Sequence, residues 1–120
     1  MLKKLKAYFK KAKQTKKQID EVSPNEAAQL EKKGSLFVDV REPNEIKDMA
    51  YAVKHIQCVP LSQLNKRFNE IPKNKELIMV CRSGRRSMKA AQFLSDQGYN
   101  LIKNLDGGIM NWSSNGFPTK

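Results

Sequence analysis

The feature that most constrains this chain is a change from strand to helix at a cysteine, within residues 77–87. Leu77–Val80 is a run of four apolar residues, which predicts a short strand buried on both faces. Cys81 follows directly, and a glycine-containing, arginine-rich segment separates it from the next element. Beyond Ser87, apolar residues recur at helical spacing: Met88, Ala91 and Leu94. Cys81 is therefore predicted to lie between the end of a strand and the start of a helix.

This position favours negative charge on the cysteine. The first N–H groups of a helix have no partner within the helix, and the helix dipole is positive at that end. Arg82, Arg85 and Arg86 add three positive charges within five residues of Cys81. Such surroundings lower the pKa of a thiol and attract anions. The sequence therefore predicts a reactive cysteine.

Three motifs extend this interpretation to a family. They are C-R-S-G-R-R-S at 81–87, L-F-V-D-V-R-E-P at 36–43 and L-D-G-G-I-M-N-W at 105–112. The first closely resembles the active-site loop of single-domain rhodaneses, the sulfurtransferases that carry a cysteine persulfide. The other two are similar to the family's D-V-R-E-P and L-x-G-G-x-x-x-W segments. The resemblance covers about residues 18–118, with the motifs in the family's order.

The resemblance implies an α/β, rhodanese-like fold, with a central, mainly parallel five-stranded sheet and helices on both faces. The alternation of predicted strands and helices agrees, because parallel neighbouring strands need helical crossovers. In such sheets, binding sites lie beyond the carboxyl ends of the strands. Asp39, Cys81 and Asp106 all fall at predicted strand ends. They are therefore expected at one edge of the sheet.

The family's activity implies that the Cys81 thiolate takes a sulfur atom from a small, thiosulfate-like donor and passes it to a thiol acceptor, or to cyanide in an assay. Asp39 and Arg41 are expected to pair and to support the loops around the site. No cofactor and no metal ion are implied. The persulfide cradle is expected to consist of the residues that follow the cysteine: Arg82, Ser83, Gly84, Arg85, Arg86 and Ser87.

Several alternatives remain open at this point. Any of the three arginines can hold the oxyanion end of the donor. Phosphatases and arsenate reductases also place a cysteine at a strand-to-helix turn, but they use C-x5-R, and Ser87 occupies the arginine position here. A regulatory, protein-binding rhodanese-like module is another alternative, although such modules often lose the cysteine. A relay that exchanges sulfur only with protein partners is the last.

The charge of the chain is concentrated at its N-terminus. The formal net charge is +11, and residues 1–17 contain eight lysines and no acidic residue. We therefore divide the chain into a basic tail or amphipathic helix at 1–17 and a rhodanese domain at 18–120. The tail is interpreted as a solvated segment, or as a segment that binds an anionic membrane surface or an acidic protein. Nucleic acid is not an expected partner.

The chain contains two cysteines and one histidine. Cys58 and Cys81 are predicted to be free thiols in a reducing compartment, which favours a cytoplasmic protein, peripheral at the inner membrane face if the tail binds lipid. Cys58 is expected to be a small buried apolar residue rather than a second reactive thiol. His55 is not expected to act as a base for Cys81. One histidine and two cysteines are too few for a zinc site.

Local patterns predict further elements. Ser23 is expected to cap a helix that starts at Pro24, with Glu26 completing a capping box. Leu61, Leu64 and Phe68 predict one helix between two prolines. Trp112 is expected to pack in the core. Residues 46–61 fit the family pattern least well, because its glycines are missing there, so the register of the third strand is left open.

Overall fold

Five short parallel strands form the centre of the protein in the computed structural model, which describes residues 18–120. The sheet order is β1-β5-β4-β2-β3, so the cysteine strand β4 is central and β3 lies at an edge. The predicted parallel five-stranded sheet is thus confirmed. The predicted basic tail, 1–17, lies outside the described residues. The strands are β1 (Asp20–Val22), β2 (Leu36–Asp39), β3 (Ile56–Cys58), β4 (Leu77–Val80) and β5 (Ile102–Leu105).

Helices connect these strands. The described α-helices are α1 (Pro24–Lys32), α2 (Pro43–Asp48), α3 (Leu64–Arg67), α4 (Arg85–Asp96) and α5 (Gly108–Ser114). The predicted cap of α1 is confirmed, because the Ser23 hydroxyl accepts a hydrogen bond from the Glu26 N–H at 3.1 Å. Among residues 18–120, no helix is long and apolar enough to cross a membrane.

The sheet divides the core into two clusters, because successive side chains of a strand point to opposite faces. Leu77 and Met79 of β4 pack in one cluster, with residues of α4. Ile78 and Val80 pack in the other, with Ala27 of α1 and residues of α5. Trp112 belongs to this second cluster and is 1% exposed, so its predicted packing in the core is confirmed.

The single helix predicted from Leu61 to Phe68 is wrong. The structure has a 3-10 turn at Leu61–Gln63, then α3, then a second 3-10 turn at Phe68–Glu70. Gln63 and Arg67 have φ near −117° and ψ near 0°, which leaves the α-helical region. Apolar residues three and four positions apart share one face in either kind of turn, so the spacing alone could not reveal the interruptions.

The prediction that Cys58 is buried is also wrong. Cys58 is exposed at the end of β3. Among residues 18–120, this strand pairs only with β2, with Asp39 opposite Cys58. An edge strand leaves much of its length uncovered, and an apolar sequence pattern does not distinguish an edge strand from a central one.

Candidate functional site

The Cys81 sulfur lies inside the turn that joins β4 to α4. The N–H of Gly84 donates to the sulfur at 3.1 Å, and the N–H of Ser87 approaches it at 3.4 Å. Cys81 and Ser87 are both fully buried. The buried Ser87 hydroxyl has no hydrogen-bond partner among the described residues, so it is available to the sulfur. The loop thus directs two backbone N–H groups toward the thiol.

These donors decide the charge state of the thiol. Burial raises the pKa of Cys81, but the hydroxyl and N–H of Ser87 and the N–H groups of Gly84 and Ser83 outweigh it. The net pKa of Cys81 is therefore lowered. A thiolate is the nucleophilic form of cysteine, so the loop activates the sulfur that it encloses.

The start of α5 fixes the cysteine loop through backbone hydrogen bonds. The N–H of Ile109 donates to the Cys81 carbonyl at 2.9 Å, and the N–H of Met110 donates to the Arg82 carbonyl at 3.2 Å. Gly108 makes this approach possible, since a Cβ there would overlap the Arg82 carbonyl group. The double glycine thus allows a close approach between the backbones of α5 and the cysteine loop. The G-G motif therefore helps to hold the cysteine loop in shape.

Asp39 and Arg41 form the predicted pair beside the loop. The Arg41 Nε and Nη2 atoms donate to the two Asp39 carboxylate oxygens at 3.0 and 2.8 Å. Arg41 Nη1 donates to the Met49 carbonyl at 2.8 Å. Both charged side chains are almost completely buried. Their contacts link β2 to the segment after α2, which agrees with a supporting role.

The three loop arginines differ in their partners. Arg86 donates to both carboxylate oxygens of Glu45 at 2.7 Å. This pairing lowers the pKa of Glu45 to about 2, so the pair stays charged near neutral pH. Within residues 18–120, neither Arg82 nor Arg85 forms an ion pair.

Arg82 and Arg85 face two different cavities. Arg82 lines a cavity of about 220 Å³ that also contains Arg41. Arg85 lines a wider cavity of about 550 Å³, where Glu21 and Asp106 also lie. Burial and then the nearby Asp106 carboxyl raise the pKa of Glu21. In the sheet, β5, which precedes Asp106, and β2, which ends at Asp39, lie on opposite sides of the central strand β4.

His55 does not contribute to this site. Its Nδ1 atom lies 2.7 Å from a carboxylate oxygen of Glu31, and it precedes β3, at the opposite end of the strands from Cys81. The expectation that it is no base for Cys81 agrees with this placement. In the described part of the chain, no group of three or more potential ligand side chains is arranged to hold a metal ion.

Three residues at the site were missed by the sequence analysis. Tyr51 donates through its hydroxyl to the Cys81 carbonyl at 2.7 Å. Asn104 donates through Nδ2 to the Gly84 carbonyl at 3.1 Å, and Glu45 holds Arg86. Tyr51 lies in the segment that fitted the family pattern least well, so no motif marked it. Asn104 lies next to Lys103 in the four-residue strand β5, so its polarity alone did not mark it as a contact of the cysteine loop.

The two thiols are expected to titrate in opposite directions. The pKa of Cys81 is lowered, whereas partial desolvation of the thiol and then Asp39 raise the pKa of the exposed Cys58 despite Arg41. Alkylation by iodoacetamide, followed against pH in Cys58→Ala and in Cys81→Ala, should give a midpoint below that of a free cysteine for Cys81 and above it for Cys58. Equal midpoints, or the reverse order, would contradict this reading of the loop.

Comparisons with known proteins agree with this geometry. The model of the rhodanese-like domain family matches residues 23–115. A sulfurtransferase of Allochromatium vinosum is 39% identical over 83 residues, which cover 69% of this chain and 76% of that protein. The thiosulfate sulfurtransferase GlpE of Pseudomonas fluorescens is 30% identical over 96 residues, covering 78% of this chain and 84% of that protein.

A solved structure shows the same fold. The rhodanese-related protein of Thermoplasma volcanium superimposes with a TM-score of 0.76 at 27% identity, covering 84% of this chain and 97% of that one. The family match includes the strand that carries Asp39, the Cys81 loop and the double glycine of α5. The chain belongs to the rhodanese-like domain family, in which the two relatives described above are named sulfurtransferases.

Proposed function

We propose that this protein transfers a sulfane sulfur from a small donor such as thiosulfate, through a persulfide on Cys81, to a thiol acceptor. The observation that carries the proposal is the pair of N–H donors, from Gly84 and Ser87, on a buried sulfur with a lowered pKa. Donors fixed before the reaction stabilise negative charge without reorganising. The GlpE relative, which is named a thiosulfate sulfurtransferase, supports thiosulfate as the donor.

The first step forms one S–S bond and breaks another. The Cys81 thiolate attacks the outer sulfur of thiosulfate, Cys81–S–S⁻ forms, and sulfite leaves with the electron pair of the broken bond. In the second step, an acceptor thiol takes the outer sulfur as its own persulfide and the Cys81 thiolate is regenerated. Cyanide can replace the thiol and leaves as thiocyanate. No oxidant or reductant is consumed.

The loop is better suited to a sulfur atom than to a phosphoryl group. Phosphate-binding cysteine loops place an arginine six positions after the cysteine, whereas Ser87 occupies that position and Arg86 is paired with Glu45. The N–H groups of Gly84 and Ser87 already contact the Cys81 sulfur itself. We therefore expect little or no hydrolysis of aryl phosphates.

The free arginines are expected to bind the donor. Arg82→Ala and Arg85→Ala remove guanidinium groups that have no carboxylate partner among residues 18–120. Loss of a charge-assisted contact costs roughly 1.5–3 kcal/mol, so at least one of the two should lower kcat/KM for thiosulfate about tenfold or more. Steady-state kinetics with thiosulfate and cyanide measures this.

The matched control removes the third arginine without leaving an unpaired charge. The double variant Arg86→Ala/Glu45→Gln eliminates the ion pair as a unit. It is expected to keep kcat/KM for thiosulfate within a few-fold of the parent. If the double variant alone loses thiosulfate activity, while Arg82→Ala and Arg85→Ala keep it, the donor is held by Arg86 and our assignment is wrong.

Intact-mass measurement tests the proposal most directly. After incubation with thiosulfate and removal of small molecules, the protein should carry one additional sulfur atom, and fragmentation should locate it on Cys81. Subsequent cyanide treatment should restore the original mass and yield thiocyanate. A protein that gains no sulfur and hydrolyses an aryl phosphate in a Cys81-dependent reaction would overturn the proposed function.

A further inference from the structure

The Tyr51 hydroxyl contacts the cysteine loop but takes no part in the proposed sulfur chemistry. Tyr51 is 1% exposed, and its hydroxyl donates to the Cys81 carbonyl at 2.7 Å. The same carbonyl accepts the N–H of Ile109 at 2.9 Å. A carbonyl oxygen has two lone pairs, so both acceptor positions of this buried group are occupied. The orientation of the Cys81–Arg82 peptide is thereby fixed from two directions.

The orientation of this peptide matters for the N–H groups that follow it. In a planar trans peptide the C=O and N–H point in opposite directions, and no peptide bond in the described residues is cis. Because the Cys81 carbonyl faces Tyr51 and α5, the Arg82 N–H points away from them. The next peptide repeats the arrangement: the Arg82 carbonyl accepts a hydrogen bond from the Met110 N–H, and the Ser83 N–H contributes to the lowered pKa of Cys81.

Tyr51 is itself held in place from several sides. Its ring packs edge-on against Phe37 and Trp112, with centroid distances of 5.6 and 5.7 Å. The Arg41 guanidinium lies 5.3 Å from the ring centroid. The backbone on either side of Tyr51 forms hydrogen bonds with residues 118–120. The Tyr51 ring is therefore held in the second core cluster, and from there its hydroxyl reaches the cysteine loop.

We propose that Tyr51 is a positioning residue of the cysteine loop, whose hydroxyl holds the Cys81–Arg82 peptide in the orientation that directs the following N–H groups toward the sulfur. Without the hydroxyl, one lone pair of a buried carbonyl loses its partner and the peptide is free to rotate about its remaining contact with Ile109. The expected effect on turnover rests on the proposed function. The expected effect on the reactivity of the Cys81 thiol does not rest on it.

A second buried tyrosine supplies a matched control. Tyr99 is 2% exposed, and its hydroxyl also donates to backbone carbonyls, those of Phe68 at 2.8 Å and Ile71 at 2.6 Å. It lies in the other core cluster. Tyr51→Phe and Tyr99→Phe therefore remove equivalent groups, and only the first contacts the cysteine loop. Both variants keep the aromatic ring and its packing, so both are expected to fold.

The experiment compares the two variants in a Cys58→Ala background, where Cys81 is the only thiol. Tyr51→Phe should lower the alkylation rate of Cys81 at neutral pH about three- to tenfold, the factor that corresponds to one net hydrogen bond, and should move the pH midpoint upward. It should lower kcat/KM for sulfur transfer by a similar factor. Tyr99→Phe should change neither, although thermal unfolding should show a comparable loss of stability for both.

Two measurements decide the outcome. If the alkylation profile of Tyr51→Phe equals that of Tyr99→Phe, the proposal is wrong, whether or not the protein transfers sulfur. If the parent fails to transfer sulfur while the alkylation profiles differ as expected, only the proposed function fails. On the parent alone, NMR should show the Tyr51 hydroxyl proton shifting as Cys81 titrates while that of Tyr99 stays fixed, and a Tyr51 signal that does not move also contradicts the proposal.

Discussion

Replacing Cys81 with serine is expected to abolish sulfur transfer while leaving the fold intact. Serine is nearly isosteric with cysteine, and the N–H groups of Gly84 and Ser87 can donate to its oxygen as they do to the sulfur. The hydroxyl is a far weaker nucleophile at neutral pH and cannot form a persulfide. We expect thiosulfate:cyanide sulfurtransferase activity to fall to the rate without protein, and intact-mass analysis to show no added sulfur.

The matched control for this variant is Cys58→Ala. Cys58 is exposed on the edge strand β3, and its pKa is raised, first by partial desolvation of the thiol and then by Asp39. Its removal should leave activity within a few-fold of the parent. Thermal unfolding of both variants should remain cooperative. If Cys81→Ser still accepts sulfur, or if Cys58→Ala does not, the assignment of the persulfide to Cys81 is wrong.

The parts of the site that could be predicted are those that are contiguous in the chain. The Leu77–Val80 strand, the cysteine and the helix after it lie within a few residues of one another, so local pattern was enough to place Cys81 at the start of α4. The Asp39–Arg41 pair is similarly local, because only one residue separates its members. For these residues, the order of the chain determines which groups meet.

The parts that could not be predicted depend on distant segments. Tyr51 meets the Cys81 carbonyl across thirty positions, and Glu45 meets Arg86 across forty-one. Sequence patterns show which face of an element is apolar, but not which carbonyl a given hydroxyl will reach. The exposure of Cys58 has the same origin, because the position of β3 at the sheet edge is a property of the assembled sheet.

Gly108 is the glycine whose replacement should affect both stability and activity most. Its φ of +57° is in the left-handed region, and a Cβ at this position would overlap the backbone of Arg82. Gly116 provides a matched control, since its φ is +81° and a Cβ there would meet nothing within 4 Å. Alanine at either position pays the cost of a left-handed conformation, roughly 1–2 kcal/mol, but only at Gly108 does it collide with the cysteine loop.

Gly108→Ala is expected to lower the free energy of unfolding by about 3 kcal/mol or more, against about 1 kcal/mol for Gly116→Ala. For a domain of this size, the larger loss lowers Tm by roughly 10–20 °C. The collision pushes the Arg82 carbonyl away from the Met110 N–H, so the N–H groups of the loop should also turn away from the sulfur. The sulfur-transfer rate of Gly108→Ala should therefore fall below that of Gly116→Ala, even at temperatures where both proteins are folded. Calorimetry and steady-state kinetics test the two effects separately. Equal stability and equal activity of the two variants would show that α5 does not hold the cysteine loop in its active shape.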